Sequence, residues 1–393
     1  MRRVLLVASM LAAVACGRSA PAPDLRYVSI GTDALEAAQA ISGAHVAVVA
    51  SEADVAVIQI DAAELPRLAE LMHAEFGRCG GFMLHDSLDD ARAALHATVS
   101  TTKVDYTLDR AALVTAVLPQ LEAERIRATI GELSAMKTRF YESESGAAAS
   151  VWLRDRWRSF SPRADVTVEL VDHGWAQKSV VLTIPGTTRA SEVVVIGGHL
   201  DSISPGGKLG AAPGADDDAS GIATLTEVAR VLLASDVRPE RTLKFMAYAA
   251  EEVGLRGSQA IVRDYTKRKI DVVGALQLDM TNYQGSEKDI WLMKDFASAP
   301  QNAFLIQLID TYVGATWGQD ACGYGCSDHA SWYRAGVPAS MPFEARFRDH
   351  NKRIHSRDDT LETSGNNAAH ALKFARLAAA YAIELGKADP SAP

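Results

Sequence analysis

The chain reads as an α/β protein: a three-layer α/β/α sandwich around a mostly parallel central sheet, preceded by a small α+β unit. Three observations predict it. From about residue 110 onward, short apolar runs suited to buried strands alternate with segments of helical period. Histidines and carboxylates stand where those runs stop, and parallel sheets gather ligands outside the carboxyl ends of their strands. Residues 25 to 97 alternate strand and helix patterns of their own and carry none of those motifs.

The first fifteen residues form a secretory signal. Arg2-Arg3, an apolar stretch from Val4 to Val14 and Ala13-Val14-Ala15 supply its charged, apolar and small-residue regions, too short to span a bilayer. Export is expected, to the extracellular space or the periplasm. Ala15-Cys16-Gly17 also fits a lipoprotein cleavage site with Cys16 acylated, although Ala13 stands where such sites usually carry Leu. Fatty-acid labelling separates a tethered product from a free one, and lipidation is the sole membrane link expected.

Residues 16 to 105 make the small unit. His45 to Val49 and Asp54 to Ile60 alternate as strands, and Glu64 to Glu75 and Leu88 to Leu95 have helical spacing. A polar passage from Val99 to Tyr106 places the boundary near 98 to 107. Two readings stay open: a prosegment that assists folding or covers the active site until a processing protease removes it, or a permanent accessory domain.

Residues 106 to 387 form the large domain, followed by a tail at 388 to 393. Ser179 to Ile184, Glu192 to Ile196, Leu243 to Tyr248 and Val272 to Leu278 are the strand runs. Leu225, Val228, Ala229 and Leu232 recur at helical spacing, as do Phe374, Leu377, Tyr381 and Leu385. His199, Glu251, Glu252 and Asp279 each follow a strand, so one rim can collect them.

Imidazole nitrogen and carboxylate oxygen without thiolate suit a borderline divalent ion such as zinc, and a free acid beside two such ions manages the protons of a hydrolytic water. The residues offered are His199 and Asp201, the run Asp216-Asp217-Asp218, the pair Glu251-Glu252, Asp279 and His355. A net charge of -9 argues against a nucleic-acid binder, which shows a basic face. Cysteines number four. Cys322 and Cys326 flank two glycines and are expected to close a small disulfide loop in an oxidising compartment, whereas Cys79 stands alone.

On these motifs the chain resembles the secreted bacterial leucyl aminopeptidases, zinc exopeptidases with two co-catalytic metals. The resemblance runs from about 107 to 386, through Gly-Gly-His199-Leu-Asp201-Ser, Ala-Pro-Gly-Ala-Asp-Asp217-Asp-Ala-Ser-Gly, Ala-Ala-Glu251-Glu252-Val-Gly, Leu-Gln-Leu-Asp279-Met-Thr-Asn-Tyr, Cys322-Gly-Tyr-Gly-Cys326-Ser-Asp-His and Arg-Ile-His355. It implies a sandwich of the zinc-exopeptidase type and two zinc ions, with Asp217 bridging both, Glu252 and His355 on one, and His199 and Asp279 on the other. The residues alone do not choose among the three aspartates; the resemblance does. It makes Glu251 the general acid/base and Asp201 an acceptor that fixes the His199 tautomer, a role Asp359 is expected to share near His355.

Met280, Tyr324, Cys326, Met341, Phe343, Phe347 and Ile354 match positions that in the family line a hydrophobic pocket for the N-terminal side chain. The expected substrate is a peptide with a free N-terminus and a bulky hydrophobic, Leu-like first residue, handled by a monomer. Carboxypeptidases and glutaminyl cyclases use the same scaffold; the complete set of matched ligands with Glu251 disfavours a cyclase or a ligand-stripped receptor, and hydrolysis of leucine p-nitroanilide with and without chelator separates the remaining reactions. Ser327-Asp328-His329 holds the letters of a nucleophilic triad, but consecutive side chains do not form its relay. His45, His73, His85, His96, His173, His350 and His370 have no partner at ligand spacing, and surface or satisfied positions are expected of them.

Overall fold

The structure is a computed structural model and describes residues 23–42, 46–52, 55–78, 80–95 and 104–390. The signal, Cys16, Cys79 and much of the predicted boundary passage lie outside the described residues.

The small unit is built on β1 (Leu25–Gly31), α1 (Leu35–Ser42), β2 (Ala47–Glu52), β3 (Val55–Asp61), α2 (Leu65–Phe76), β4 (Phe82–His85) and α3 (Leu88–Leu95). Its strands form one antiparallel sheet in the order β2-β3-β1-β4. Helix α2 opens on Pro66, whose fixed φ suits a first turn, and stops at Gly77, whose φ of 61° is left-handed. Between these, Leu65, Leu68, Ala69 and Met72 recur every three or four residues and make its buried face.

In the large domain, α4 (Ala111–Val117), α5 (Ala123–Ser134) and α6 (Glu144–Arg158) precede β5 (Thr167–Val171), β6 (Ser179–Ile184) and β7 (Arg189–His199). Then come α7 (Ala219–Ala234), β8 (Val237–Pro239), β9 (Arg241–Tyr248), α8 (Arg256–Arg268), β10 (Asp271–Gln277), β11 (Ile290–Met293), α9 (Ala299–Leu308) and β12 (Trp317–Asp320). Helix α10 (His329–Arg334), β13 (Ala339–Ser340), β14 (Pro342–Phe343), α11 (Ala369–Gly386) and β15 (Ala388–Pro390) complete it.

The central sheet runs β13-β10-β7-β9-β6-β5. Its first four strands are parallel, and β6 and β5 add an antiparallel edge. The two-residue alternation of each strand sorts side chains onto two covered faces. Val194, Ile196, Leu243 and Phe245 join the core under α5, α7 and α11, while Val193, Val195, Met246 and Tyr248 pack with Ile261 and Tyr265 of α8 and Trp332 of α10. That makes the three layers. Residues 388–390, assigned by sequence to a tail, instead form β15 and pair antiparallel with β8. Among the described residues no helix is long and apolar enough to cross a membrane.

Candidate metal centre

Three neighbouring parallel strands deliver the site. β7 ends at His199, β9 runs through Ala249-Ala250 to Glu251-Glu252, and β10 continues to Asp279. The ladder reaches past the strand ends, with the Leu200 N–H donating to Tyr248 O at 2.7 Å and the Leu278 N–H to Gly197 O at 2.7 Å. Asp216, Asp217 and Asp218 lead into α7, and His355 comes from the loop before α11. Ala250, Met280 and His355 have φ of 57°, 58° and 55°. Left-handed backbone at a non-glycine residue costs energy, and these three stand beside or among the chemically competent side chains.

Asp217 is the centre of the arrangement. His199 Nε2 lies 2.9 Å from its Oδ1 and His355 Nε2 lies 3.3 Å from its Oδ2. Asp279 Oδ1 is 3.5 Å from His199 Nε2, and Glu252 Oε2 is 2.8 Å from His355 Nε2. Two groups therefore form, His199 with Asp217 and Asp279, and Asp217 with Glu252 and His355, each with ligand atoms within 4.8 Å of one another. All these residues are buried.

The electrostatics record crowding of negative charge in a dry place. Burial pushes the Glu251 carboxyl well above its usual range, with Glu252, Asp328 and Asp279 adding to the push. Glu252 rises to about 7, through burial and the charge of Asp217. Burial works against ionised Asp217 too, but the two histidines on either side outweigh it and hold its carboxyl well below the usual range. His355 is driven up to about 10, because Glu252 and Asp217 more than offset its burial. Both Glu251 oxygens and Asp279 Oδ1 are buried without a hydrogen-bond partner, a costly arrangement that cations resolve. The donor set of nitrogen and oxygen fits zinc.

Supporting residues follow a different plan from the expected one. Asp201 Oδ1 is 3.5 Å from His199 Nδ1, long for a hydrogen bond, whereas the carboxylate accepts the Glu251 and Glu252 N–H groups at 3.0 and 3.2 Å. It orients the acid pair as well as facing the imidazole. Asp359, expected near His355, instead accepts the Asp216 and Asp217 N–H groups at 3.1 Å and fixes the aspartate turn. Asp328 is buried, accepts from Gln277 Nε2 at 3.3 Å and faces Glu251 and His199 electrostatically, a proximity without any signal in residue spacing. His329 points to Asp295 O, so no relay exists in that tripeptide.

Met280, Tyr324, Cys326, Met341, Phe343, Phe347 and Ile354 gather in one apolar cluster with Trp291, Met293 and Cys322, and most of the set lines a narrow cavity against Asp279. Cys322 and Cys326 are disulfide-bonded. His350, a histidine with no anticipated role, joins that lining. His73 departs furthest from expectation: its ring centroid lies 4.7 Å from that of His355. No local spacing signals this, because the contact crosses from one folded unit to the other.

Fold and site together define a metal-dependent hydrolase built on an exopeptidase sandwich. The model of peptidase family M28 matches residues 179–381. Leucine aminopeptidase 1 of Coccidioides posadasii is 37% identical over 291 residues, 70% of this chain and 74% of that protein. Leucine aminopeptidase 1 of Penicillium rubens is 33% identical over 321 residues, 76% of this chain and 82% of that one. The LapA aminopeptidase of Legionella pneumophila superposes with a TM-score of 0.82 at 29% identity, over 93% of this chain and 99% of that chain. The chain belongs to peptidase family M28, and it is a metallo-aminopeptidase. Its likeness extends to fungal enzymes, beyond the bacterial group that the motifs suggest.

Proposed function

We propose that this protein is an exported zinc aminopeptidase, made with a removable N-terminal prosegment, that releases bulky hydrophobic N-terminal residues from peptides. The observation that carries the reading is Asp217 set between His199 and His355, with the unpartnered carboxyl of Glu251 beside it. Asp217 would bridge two zinc ions, His199 and Asp279 completing one set and Glu252 and His355 the other. Bound zinc supplies Lewis acidity to a water and to the scissile carbonyl.

The chain's own residues supply the rest. Glu251 takes the proton of the attacking water and delivers it to the leaving amine, a task that suits an acid whose burial raises its proton affinity. Asp201 holds the backbone of Glu251 and Glu252 through both N–H groups, so that the two side chains keep separate roles. The cluster of Met280, Tyr324, Cys326, Met341, Phe343, Phe347 and Ile354 receives a Leu-like side chain. All these groups come from one chain, and a monomer suffices.

The test is hydrolysis of leucine p-nitroanilide by purified protein after a processing protease has removed the N-terminal unit. Turnover lost on chelation and restored by zinc is expected, with blocked peptides inert. Hydrolysis indifferent to chelator overturns the reading. N-terminal sequencing of the secreted product checks the prosegment: fully active material starting near residue 17 defeats it.

A further inference from the structure

We propose that His73 of the N-terminal unit is a tethered metal ligand, occupying in the precursor the open position on the ion assigned to Asp217, Glu252 and His355. The inference rests on the zinc reading above and adds a ligand from the other folded unit. Three protein ligands leave a tetrahedral ion one place for water or substrate. An imidazole held nearby competes for that place at the high effective concentration of an intramolecular group.

The last turn of α2 carries His73 to the site. Its ring lies 4.7 Å from that of His355, centroid to centroid and inclined by 37°, and its Nδ1 is buried with no hydrogen-bond partner. His85 of the same unit, in contrast, is engaged with Ser29 Oγ at 2.9 Å. The segment after α2 fixes the approach along the rim. Arg78, held by Asp33 at 2.6 Å, lies over the Tyr324 ring at 5.3 Å. A Cβ added at Gly80 would lie 4.0 Å from the carbonyl oxygens of Glu251 and Glu252, and the Leu84 N–H donates to Gly254 O at 3.1 Å. Held at these points, the end of α2 cannot drift from the metal centre while the unit stays docked. His73 stands beside the three-residue group and outside its 4.8 Å span, so a rotation of the ring accompanies ligation.

Ligation and simple obstruction predict different results. X-ray absorption on the zinc-loaded full-length precursor is expected to count three imidazoles over two ions, falling to two when the N-terminal unit is cleaved away. In the cobalt-substituted precursor, His73→Phe, which keeps the bulk of a ring without a donor nitrogen, is expected to shift the visible bands. It should also weaken retention of one ion at least tenfold and raise leucine p-nitroanilide turnover, as should His73→Ala. Two imidazoles in the wild-type precursor, or cobalt spectra identical with and without His73, overturn the proposal while leaving the metal centre standing. A precursor that binds neither ion overturns both readings.

Discussion

Three identical letters in a row do three jobs. Asp216 accepts from the Asn282 N–H at 3.2 Å and from Asn351 Nδ2 at 3.1 Å, Asp217 sits between the histidines, and Asp218 turns back onto the fold. Asp218 caps α7 through the Gly221 N–H at 2.9 Å and also accepts the His199 and Met280 N–H groups at 2.9 and 3.2 Å. Asp218→Ala strips the cap and strands three buried donors, so a loss on the order of 3 kcal/mol is expected in urea unfolding. Loss of metal should accompany it, since the His199 backbone is one of the freed partners. Glu251→Gln tests the other kind of residue, one proposed to do chemistry and whose carboxyl holds no part of the fold, because both its oxygens lack protein partners. Turnover should fall by roughly 10²- to 10⁴-fold, with zinc content and melting temperature held; a near-normal rate removes the assignment. Spacing reveals neither division of labour: the direction of each aspartate depends on donors contributed by Asn282, Asn351 and Gly221.

The elements show why the strand ends were readable and the supports were not. Ser179 to Ile184 and Glu192 to Ile196 are buried on both faces, so they stand out as continuous apolar runs, yet that same burial hides that β6 runs antiparallel to β9. The close seat of α8 is likewise silent in sequence, since it shows as one glycine. A Cβ at Gly257 would lie 2.2 Å from Ala249 O, in the turn that carries Glu251 and Glu252. Gly257→Ala should therefore cost about 2 kcal/mol or more of stability and lower turnover as well, measured on the same preparation. Asp289 ties the start of β11 to β12 and α11. It accepts the Thr316 N–H at 2.8 Å and hydroxyl at 2.7 Å and pairs with Lys373. Burial pushes its carboxyl up, but Lys373 and Thr316 prevail and hold it at about 2, below its usual 3.8. A depressed folded value stabilises above the unfolded one, so the contribution, roughly 1 to 2 kcal/mol after solvent screening, is complete near neutrality and fades as pH falls from about 4 towards 2. Asp289→Asn should lose it at neutral pH and match the wild type at pH 2.

At the scale of the molecule, the two units share a core. Ile30, Leu68, Met72, Phe82 and Leu84 of the N-terminal unit are buried in one cluster with Phe140, Tyr141, Ile203, Ala250 and Val253 of the large domain. That cluster includes the residues flanking Glu251 and Glu252, so the unit rests on the very turn that presents the acid pair. Such a continuous apolar seat resembles the inside of a domain more than a transient contact, which is what the proposed cover needs until a protease cuts it. Phe82 is the test, because its ring edge stands where a Cβ on Gly254 would meet it at 2.8 Å. Phe82→Ala removes apolar contact at the seat, a change that in cores typically costs about 3 to 5 kcal/mol, while touching no residue of the metal centre. The uncut variant should hydrolyse leucine p-nitroanilide well above the uncut wild type and be clipped faster by added protease. The main thermal transition should stay in place, since the sheet core lies elsewhere. A variant as silent and protease-resistant as the wild type would mean that packing at this seat does not hold the unit over the site.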